Sequence, residues 1–443
     1  MLRALGVPSA LALGLLAGCG PNPRPAMVMV LAPDGNGNRK PTKVELRTMS
    51  DLTSLDGTLT KFVGGAAAVV PTEESSLTAT SFGPDMDQSR YAAFVKDPGR
   101  PVRANYVVEH QKAAATDAGV DEDVLWPADF HTWNMVTTVY NFELSYRFYE
   151  KIFGEIDPVE LKAMRILYWV DFRSQGGPPQ YDNALFVPFL KSFAILPFAP
   201  VEPDQMAQRV PLAMNSGVIG HEMAHRVFNY RVLADSGLHP ALNWSLPRAF
   251  NLLKSVEEGF ADFLGFGVTC GERTGCRQNY VKESLPSLGD KRDFTRTDLC
   301  VDDKLLNAFE NSTPNLWTDP NPTVGRMYDL GTIWAASLYQ GAFSISGPGG
   351  VEAVQMALVA AYNDETPGKP GLRQLIGNAL TPDVFTSAAV ADAILSHITE
   401  NGLKTKVCGE MLTRLGPTLT CNAGSGRACM PNCPGTAVQR ACP

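Results

Sequence analysis

Two histidines four residues apart in a helix-like segment constrain the fold of this 443-residue chain more than any other feature. His221 and His225 enclose Glu222 in the segment Gly217-Val-Ile-Gly-His-Glu-Met-Ala-His-Arg-Val-Phe-Asn229, where most other side chains are apolar. On a helix with about 3.6 residues per turn, positions four apart share one face. The spacing therefore predicts a helix that points both imidazole rings toward the same place.

Two imidazole rings on one helix face are typical zinc ligands. Glu222 lies just beside that face, where it can polarise a zinc-activated water as a general base rather than bind the metal. The alternative is a pair of core histidines with a surface glutamate. Because the chain has only 6 histidines, that alternative needs a chance match expected in roughly 0.4% of such chains.

A catalytic zinc takes three protein ligands and leaves a fourth position for water, so the histidines need a partner. The segment Ser255-Val-Glu-Glu-Gly-Phe-Ala-Asp-Phe-Leu264 offers Glu258 and Asp262, which share one face if the segment is helical. We expect Glu258 to bind zinc and Asp262 to accept the free ring N–H of a ligand histidine. Glu257 is the alternative third ligand, one residue out of register.

Composition and charge narrow the class of partner. The chain is 44% hydrophobic and 19% charged, which is typical of a folded globular protein. Its net charge is −8, and it has no run of lysines and arginines. These features argue against a nucleic-acid partner.

The N terminus resembles an export signal. A short segment with one arginine precedes the apolar run at residues 10–17, which is too short to be interpreted as a membrane span. Leu16-Ala17-Gly18-Cys19 resembles the bacterial lipobox. The resemblance implies cleavage before Cys19, a lipid on its thiol, and anchoring to the cell-envelope membrane, facing the periplasm or the exterior. Ordinary secretion without a lipid is the alternative.

The remaining cysteines predict disulfides, because their number is even and the chain is expected to be exported. They are Cys270, Cys276, Cys300, Cys408, Cys421, Cys429, Cys433 and Cys442. Five lie in the tail, so at least one tail cysteine pairs with the earlier three if all eight are paired. A second zinc site in the tail is a weaker alternative, because Cys429 and Cys433 lack a neighbouring pair of matching spacing.

Strand-like patterns precede helix-like patterns along the chain, which predicts an α+β fold. Predicted strands include residues 26–31, 43–48, 184–190 and 193–198, and predicted helices include residues 129–151, 256–267, 327–340, 351–362 and 388–399. We divide the chain into a signal peptide (1–19), a linker and small β-rich module or prosegment (20–121), a catalytic domain (122–405) and a disulfide-stapled tail (406–443).

The two zinc segments together resemble a known family. His221-Glu-Met-Ala-His225 followed by Glu258-Gly-Phe-Ala-Asp262 resembles the gluzincin metallopeptidases, and in particular their fungalysin and thermolysin-like branch. The resemblance implies a zincin-like fold with an N-terminal β-rich sheet region, an active-site helix and a mainly helical C-terminal lobe. It also implies that Glu222 is the base, that Asp262 orients a histidine, and that the substrate is a peptide or protein.

Weaker similarities add substrate-binding and oxyanion candidates. Asn183 and Ala184, before a strand-like run, resemble the family's edge strand, which holds the substrate main chain by strand addition. The chain departs from thermolysin-like enzymes in having no His-x-Asn-x-Gly segment. Tyr328 or Arg326 is instead the expected donor to a developing oxyanion, with His239 as a weaker alternative.

The other histidines are interpreted as structural. His397 lies where a helix is expected to end, and His110 and His131 have no partner pattern.

These features together predict a zinc-dependent metalloendopeptidase. The alternative is a catalytically silent zincin-like envelope lipoprotein that binds partners or acts as a scaffold. An aminopeptidase is less favoured because no Gly-x-Met-Glu-Asn segment is present. A structural zinc is also less favoured, because such sites use four protein ligands and usually cysteine, and no cysteine lies beside the motif. The oligomeric state stays open.

Overall fold

Strands occupy the first part of the chain and helices the second in this computed structural model. This order confirms the α+β class, with sheets toward the N terminus and a helical C-terminal part. The structure describes residues 27–34, 38–64, 68–69, 102–111, 122–153, 161, 163–172, 180–199, 201, 207–233, 247–272, 275–313, 316–317, 326–363, 371–377 and 385–419.

The strands of the described residues form three sheets. They are β1 Met27–Pro33, β2 Arg39–Glu45, β3 Met49–Asp51, β4 Asp56–Gly57, β5 Thr60–Gly64, β6 Ala68–Val69, β7 Tyr106–Gln111, β8 Glu122–Pro127, β9 Met164–Tyr168, β10 Asp171–Phe172, β11 Ala184–Val187 and β12 Ser192–Ile195. The strand orders are β2-β1-β8-β7, β11-β12-β9-β5-β4-β3 and β10-β6. Strand β11 is therefore an edge strand, antiparallel to β12.

Both large sheets combine strands from the two sides of residue 121. In the four-stranded sheet, β1 pairs with β2 and with β8, and in the six-stranded sheet β5 pairs in parallel with β9. The segments 20–121 and 122–405 therefore share their sheets, and the boundary at residue 121 falls between two strands of one sheet.

The helices follow mainly after β12. They are α1 Phe130–Phe153, α2 Ser216–Arg231, α3 Pro247–Cys270, α4 Tyr280–Ser284, α5 Pro286–Gly289, α6 Asp303–Asn311, α7 Arg326–Ala360, α8 Leu372–Gly377, α9 Ser387–His397 and α10 Asn401–Leu415. Short 3-10 helices span Pro188–Leu190, Leu212–Met214 and Gly416–Leu419. The predicted helix at 129–151 corresponds to α1, and the predicted helix at 388–399 corresponds to α9.

Two helices differ from the sequence prediction. The predicted helices at 327–340 and 351–362 are the two halves of α7, which is interrupted at Ser346 and Gly347, where Gly347 has a φ of 55°. Helix α10 was not predicted and crosses residue 405, so the boundary drawn there falls inside a helix. Its buried residues, including Leu403, Val407 and Met411, anchor it to the core.

The six-stranded sheet and the central helices hold the core together. Phe186 of β11 and Phe193 of β12 contribute to the main apolar cluster with α1, α2 and α3, while Val187 and Ala194 belong to a smaller cluster. Helix α2 packs against both β11 and α3, and α3 packs against α7. Side chains from the edge strand and from three helices therefore meet around α2.

Four of the cysteines lie in the described residues, and all four form disulfides. Cys270 and Cys276 form a disulfide, and Cys300 and Cys408 are also disulfide-bonded. Among the described helices, none combines the length and the apolar character needed to cross a membrane. The predicted signal peptide with Cys19, His239, and the tail cysteines Cys421, Cys429, Cys433 and Cys442 lie outside the described residues.

Candidate metal centre

Helix α2 is a rigid, buried element. Its N-cap residue Asn215 accepts a hydrogen bond from the main-chain N–H of Gly217 at 3.1 Å, which satisfies one of the unpaired donors of the first turn. The side-chain nitrogen of Asn215 also donates to the carbonyl oxygen of Tyr280 at 2.8 Å. The N terminus of α2 is thus tied to α4, and nearly all residues of α2 are buried.

Three side chains bring potential ligand atoms to one point. Nε2 of His221 lies 3.0 Å from Nε2 of His225 and 3.4 Å from Oε2 of Glu258, and Nε2 of His225 lies 3.7 Å from the same oxygen. Tetrahedral zinc with ligands at its usual bond lengths separates the ligand atoms by about 3.3 Å. We refer to these three atoms as the ligand triangle, and its edges fit such an ion.

Two further observations fit a divalent cation at the ligand triangle. Oε2 of Glu258 is buried and has no hydrogen-bond partner, although an unpaired buried carboxylate oxygen is costly. Among the described residues, the carboxylates of Glu222, Glu257, Glu258 and Asp262 lie around the triangle, and Lys254 and Arg292 pair with two of them. With neutral imidazole rings this set carries a charge of −2, which a divalent ion would neutralise.

The outer nitrogen of His221 is held by Asp262. Nδ1 of His221 lies 3.0 Å from Oδ1 of Asp262, a residue that is only 2% exposed. Arg292 donates to both oxygens of this carboxylate, at 2.5 and 3.1 Å, and the hydroxyl of Tyr280 donates to Oδ1 at 3.1 Å. Burial raises the pKa of Asp262, but the charge and hydrogen bonds of Arg292 and His221 together outweigh burial and hold it below its usual value. The carboxylate is therefore an ionised, fixed acceptor for the ring of His221.

The outer nitrogen of His225 is held by Glu257. Nδ1 of His225 lies 3.3 Å from Oε1 of Glu257, and Lys254 donates to Oε2 of the same carboxylate at 2.7 Å. Glu257, the alternative third ligand in the sequence, therefore contacts the nitrogen that faces away from the ligand triangle. Glu258 supplies the oxygen of the triangle.

The charges of the ligand triangle shift the pKa values of His225 and Glu258 in opposite directions. Burial lowers the pKa of His225, but the charge of Glu258 and the hydrogen bond with Glu257 outweigh burial, and the net pKa is well above its usual value. Burial raises the pKa of Glu258, but the charge of His225 and the contact with His221 outweigh burial and bring it well below its usual value. A metal that binds here must displace protons from the rings.

Glu222 is fixed by the edge strand. The main-chain N–H of Phe186 in β11 donates to Oε2 of Glu222 at 2.7 Å, while Oε1 lies 4.0 Å from Nε2 of His221. Glu222 is 8% exposed, and burial raises its pKa. The carboxylate thus lies beside the ligand triangle, with a proton affinity shifted toward the range of a base that works near neutral pH.

The outer edge of β11 faces this carboxylate. The carbonyl oxygen of Asn183 accepts a hydrogen bond from the N–H of Leu196 at 2.9 Å, on the side of β12. Because antiparallel strands alternate the direction of their main-chain groups, the N–H and C=O groups of Ala184 and Phe186 point away from β12. The bond from Phe186 to Glu222 agrees with this direction. Asn183 is exposed and Ala184 is buried.

Tyr328 lies at the site and Arg326 does not contact it. The guanidinium group of Arg292 stacks over the ring of Tyr328, 4.6 Å from its centroid. The charge of Glu258, together with burial, raises the pKa of Tyr328, so the phenol stays protonated and can donate. Arg326 instead donates to the carbonyl oxygen of Lys304 at 3.4 Å, beside a separate cavity of about 360 Å³.

The other described histidines lie outside this group. Nδ1 of His397 lies 2.8 Å from the carbonyl oxygen of Ala393 at the end of α9. His110 of β7 pairs with Asp123 of β8 through exposed side chains, and Nδ1 of His131 lies 2.9 Å from the hydroxyl of Tyr168. Each of these rings therefore has a local partner away from the ligand triangle.

Several residues of the site were missed from the sequence. Lys254 and the role of Glu257 had a local signal in the sequence: two oppositely charged residues three apart can pair on one helix face. Arg292 had none, since it is 30 residues from Asp262. The N–H of Phe186 is a main-chain group, and only tertiary packing directs it to Glu222.

Comparisons of the chain with protein-family models and with curated protein sequences found no match. Its function is therefore inferred from the geometry and chemistry of the site.

Proposed function

We propose that this protein is a zinc-dependent metalloendopeptidase with a zincin-like fold, similar to the gluzincins of the fungalysin and thermolysin-like branch. The observation that carries the proposal is the ligand triangle of His221, His225 and Glu258, with edges of 3.0, 3.4 and 3.7 Å, beside the carboxylate of Glu222. Three protein ligands leave one tetrahedral position open, which is typical of catalytic zinc rather than structural zinc.

The ligand triangle would hold the ion, and Asp262 would keep the ring of His221 in place. Zinc, when bound, supplies Lewis acidity that polarises a peptide carbonyl and lowers the pKa of water toward about 7. Glu222 takes the proton of the attacking water at its carboxylate and then delivers it to the leaving amine. Its burial and raised pKa suit both steps, because the group must bind and release a proton near neutral pH.

An extended peptide would pair with the outer edge of β11. The main-chain groups of Ala184 point to that side, and Asn183 adds an exposed side-chain amide next to them. Strand addition holds a substrate through its main chain, so it favours a peptide held in mid-chain over recognition of a free terminus. This supports an endopeptidase.

Tyr328 would donate a hydrogen bond to the oxyanion that develops on the peptide carbonyl. Its phenol is electrostatically coupled to Glu258 and Glu222, and it stays protonated over the working pH range because its pKa is raised. Of the two donors expected from the sequence, the contacts favour Tyr328 over Arg326.

We further propose that the protein is exported and lipid-anchored to the cell envelope through Cys19, with peptides or proteins as substrates and no nucleic-acid partner. The pattern of residues 1–19 supports this localisation. The disulfide between Cys270 and Cys276 is consistent with an oxidising compartment.

The test compares the wild-type protein with Glu222→Gln, using an unstructured protein substrate and measuring bound zinc at the same time. We expect Glu222→Gln to keep its zinc and to lose activity by about 10²- to 10⁴-fold, the usual contribution of a general base. The surface variant Glu352→Gln is the matched control. If the wild-type protein carries a full zinc complement and cleaves nothing, the catalytically silent lipoprotein is the better interpretation.

Ligand variants test the metal site separately. His225→Ala and Glu258→Ala should each remove most of the bound zinc, because each removes one of three ligands. Zinc loss in His225→Ala but not in Glu258→Ala would overturn Glu258 as the third ligand.

A further inference from the structure

The two ligand histidines have matching surroundings on their outer nitrogens. His221 faces the carboxylate of Asp262, whose oxygens accept from Arg292. His225 faces the carboxylate of Glu257, whose second oxygen accepts from Lys254 at 2.7 Å. Each imidazole ring thus contacts a carboxylate, and that carboxylate in turn accepts a hydrogen bond from a cation. We call the second series the Lys254 relay: Lys254, Glu257 and His225.

The Lys254 relay is buried. The side chain of Glu257 is 7% exposed and that of Lys254 is 17% exposed, so little water reaches the pair. A carboxylate and an ammonium group in such surroundings are costly unless each is paired. The buried ring of Tyr362, which stacks on Phe260 of α3, lies close enough to Glu257 for burial and this charge together to raise the pKa of its phenol. An ordinary surface ion pair is exposed to water, whereas Lys254 and Glu257 are largely shielded from it.

The three residues of the Lys254 relay make different contacts, which suggests a different role for each residue. Glu257 contacts the ring of His225, while Lys254 donates to the carboxylate of Glu257 and lies close enough to Glu258 for that charge to raise the pKa of the lysine. Lys254 and Glu257 are three residues apart on α3, and Glu258 follows directly, so one helix supplies both the ligand oxygen and the support for the opposite ring. A carboxylate that holds the outer ring nitrogen fixes the orientation of a metal-ligating imidazole.

We propose that Glu257 is a positioning residue that orients His225 toward the metal, and that Lys254 acts through Glu257 by holding its carboxylate in place. The inference rests on the proposed zinc site. It adds a second support for a metal-ligating histidine, beside the pair of Asp262 and Arg292. In this second support the cation is Lys254, which lies on α3 together with Glu258.

A double-mutant cycle tests the inference through the zinc dissociation constant, measured by competition with a chelator of known affinity. Glu257→Ala should weaken zinc binding by about 10- to 100-fold, the usual effect of removing such a support. Lys254→Met should weaken it by about tenfold. In the Glu257→Ala background, Lys254→Met should change the constant by less than about twofold, because its effect passes through Glu257.

Two further measurements separate positioning from general destabilisation. Glu257→Gln retains an oxygen that can accept from His225, so it should recover most of the affinity lost in Glu257→Ala. The visible absorption spectrum of the cobalt-substituted protein should change in Glu257→Ala and return toward the wild-type spectrum in Glu257→Gln. Lys406→Met is the matched control on the surface. If Glu257→Ala does not fold, Glu257→Gln and Lys254→Met carry the test.

The outcomes distinguish this inference from the proposed function. A wild-type protein that binds no zinc would contradict the proposed function itself. Zinc binding that is lost in His225→Ala but unchanged in Glu257→Ala would overturn the positioning role alone. Multiplicative losses in the double variant would show that Lys254 acts independently of Glu257 and would overturn the relay.

Discussion

The main-chain N–H of Phe186 donates to Oε2 of Glu222 over 2.7 Å, and this bond joins the edge strand to the carboxylate of the His-Glu-x-x-His motif. The bond fixes one carboxylate oxygen, while the other lies toward His221. A hydrogen bond to the charged form of an acid also favours that form, so it opposes the rise in pKa that burial causes. The strand therefore fixes the position of Glu222 and limits the rise in its pKa.

We expect removal of this N–H to impair the base without removing the metal. Phe186→Pro deletes the donor, and edge strands tolerate proline where the N–H points away from the neighbouring strand. Phe186→Ala deletes the same buried ring but keeps the N–H, so it is the matched control. The acid limb of the pH profile of kcat/KM should lie about one pH unit higher in Phe186→Pro than in Phe186→Ala. Identical profiles would mean that the bond does not control Glu222.

We expect zinc affinity to rise with pH in a defined direction. The pKa values of His221 and His225 in the metal-free fold are raised above the ordinary value of 6.5. Protonated rings therefore stabilise the metal-free fold fully below the unfolded pKa, and this stabilisation is lost as pH rises through the folded pKa. Since zinc needs neutral rings, its affinity should increase over the same range.

Calorimetry in two buffers of different ionisation enthalpy measures the protons released on zinc binding. We expect release near neutral pH, decreasing as the pH passes above the folded pKa of the rings. His110→Gln, which changes an exposed histidine outside the site, should release as many protons as the wild-type protein. Zinc binding with no proton release between pH 6 and 8 would contradict the raised pKa values.

We expect Tyr328→Phe to lower kcat with little change in KM or zinc content. The variant keeps the ring over which Arg292 stacks and removes only the hydroxyl. Loss of one oxyanion donor costs about 10²- to 10³-fold in kcat. Arg326→Gln tests the other donor and should stay within about twofold of wild type, because Arg326 donates to the carbonyl of Lys304. A larger loss in Arg326→Gln than in Tyr328→Phe would reverse the assignment.

Local spacing explains which parts of the site could be predicted from the sequence. His221, His225, Glu258 and Asp262 lie on two helices, and each pair is four residues apart, so helix geometry alone groups them. The choice between Glu257 and Glu258 could not be settled this way, because adjacent residues differ by only about 100° around a helix. Packing of α3 against α2 brings Oε2 of Glu258 to the Nε2 atoms of both histidines and places Glu257 on the outer nitrogen of His225.

For the fold, as for the site, local patterns in the sequence predicted some features and missed others. The change from strands to helices was visible in the residue patterns, and the long helix α1 followed from its regular apolar spacing. Helix α10 was missed because it opens with Asn401 and Gly402, which favour a turn in isolation. Burial of Leu403 and Val407 against the core outweighs that local preference. The sharing of sheets across residue 121 depends on pairings between distant strands, which no local pattern reveals.

Gly259, directly after Glu258, determines how closely α7 approaches the ligand triangle. A Cβ atom added at Gly259 would lie 2.2 Å from the carbonyl oxygen of Gly331 in α7, and one added at Gly331 would lie 3.4 Å from Cβ of Glu258. Tyr328 is one turn before Gly331 on the same helix. The absence of a side chain at Gly259 therefore lets the first turns of α7 lie close to α3, where the charge of Glu258 raises the pKa of Tyr328.

We expect Gly259→Ala to be destabilising and to reduce activity, because main-chain atoms of α3 and α7 must separate to admit the methyl group. Overpacking of this kind costs about 1–3 kcal/mol in the free energy of unfolding. Gly409→Ala in α10 is the matched control: no atom lies within 4 Å of an added Cβ there, so it should stabilise by about 0.5–1 kcal/mol. Thermal unfolding of the metal-free proteins measures both changes. Equal melting temperatures for the two variants would mean that α7 does not depend on Gly259 for its approach to Glu258.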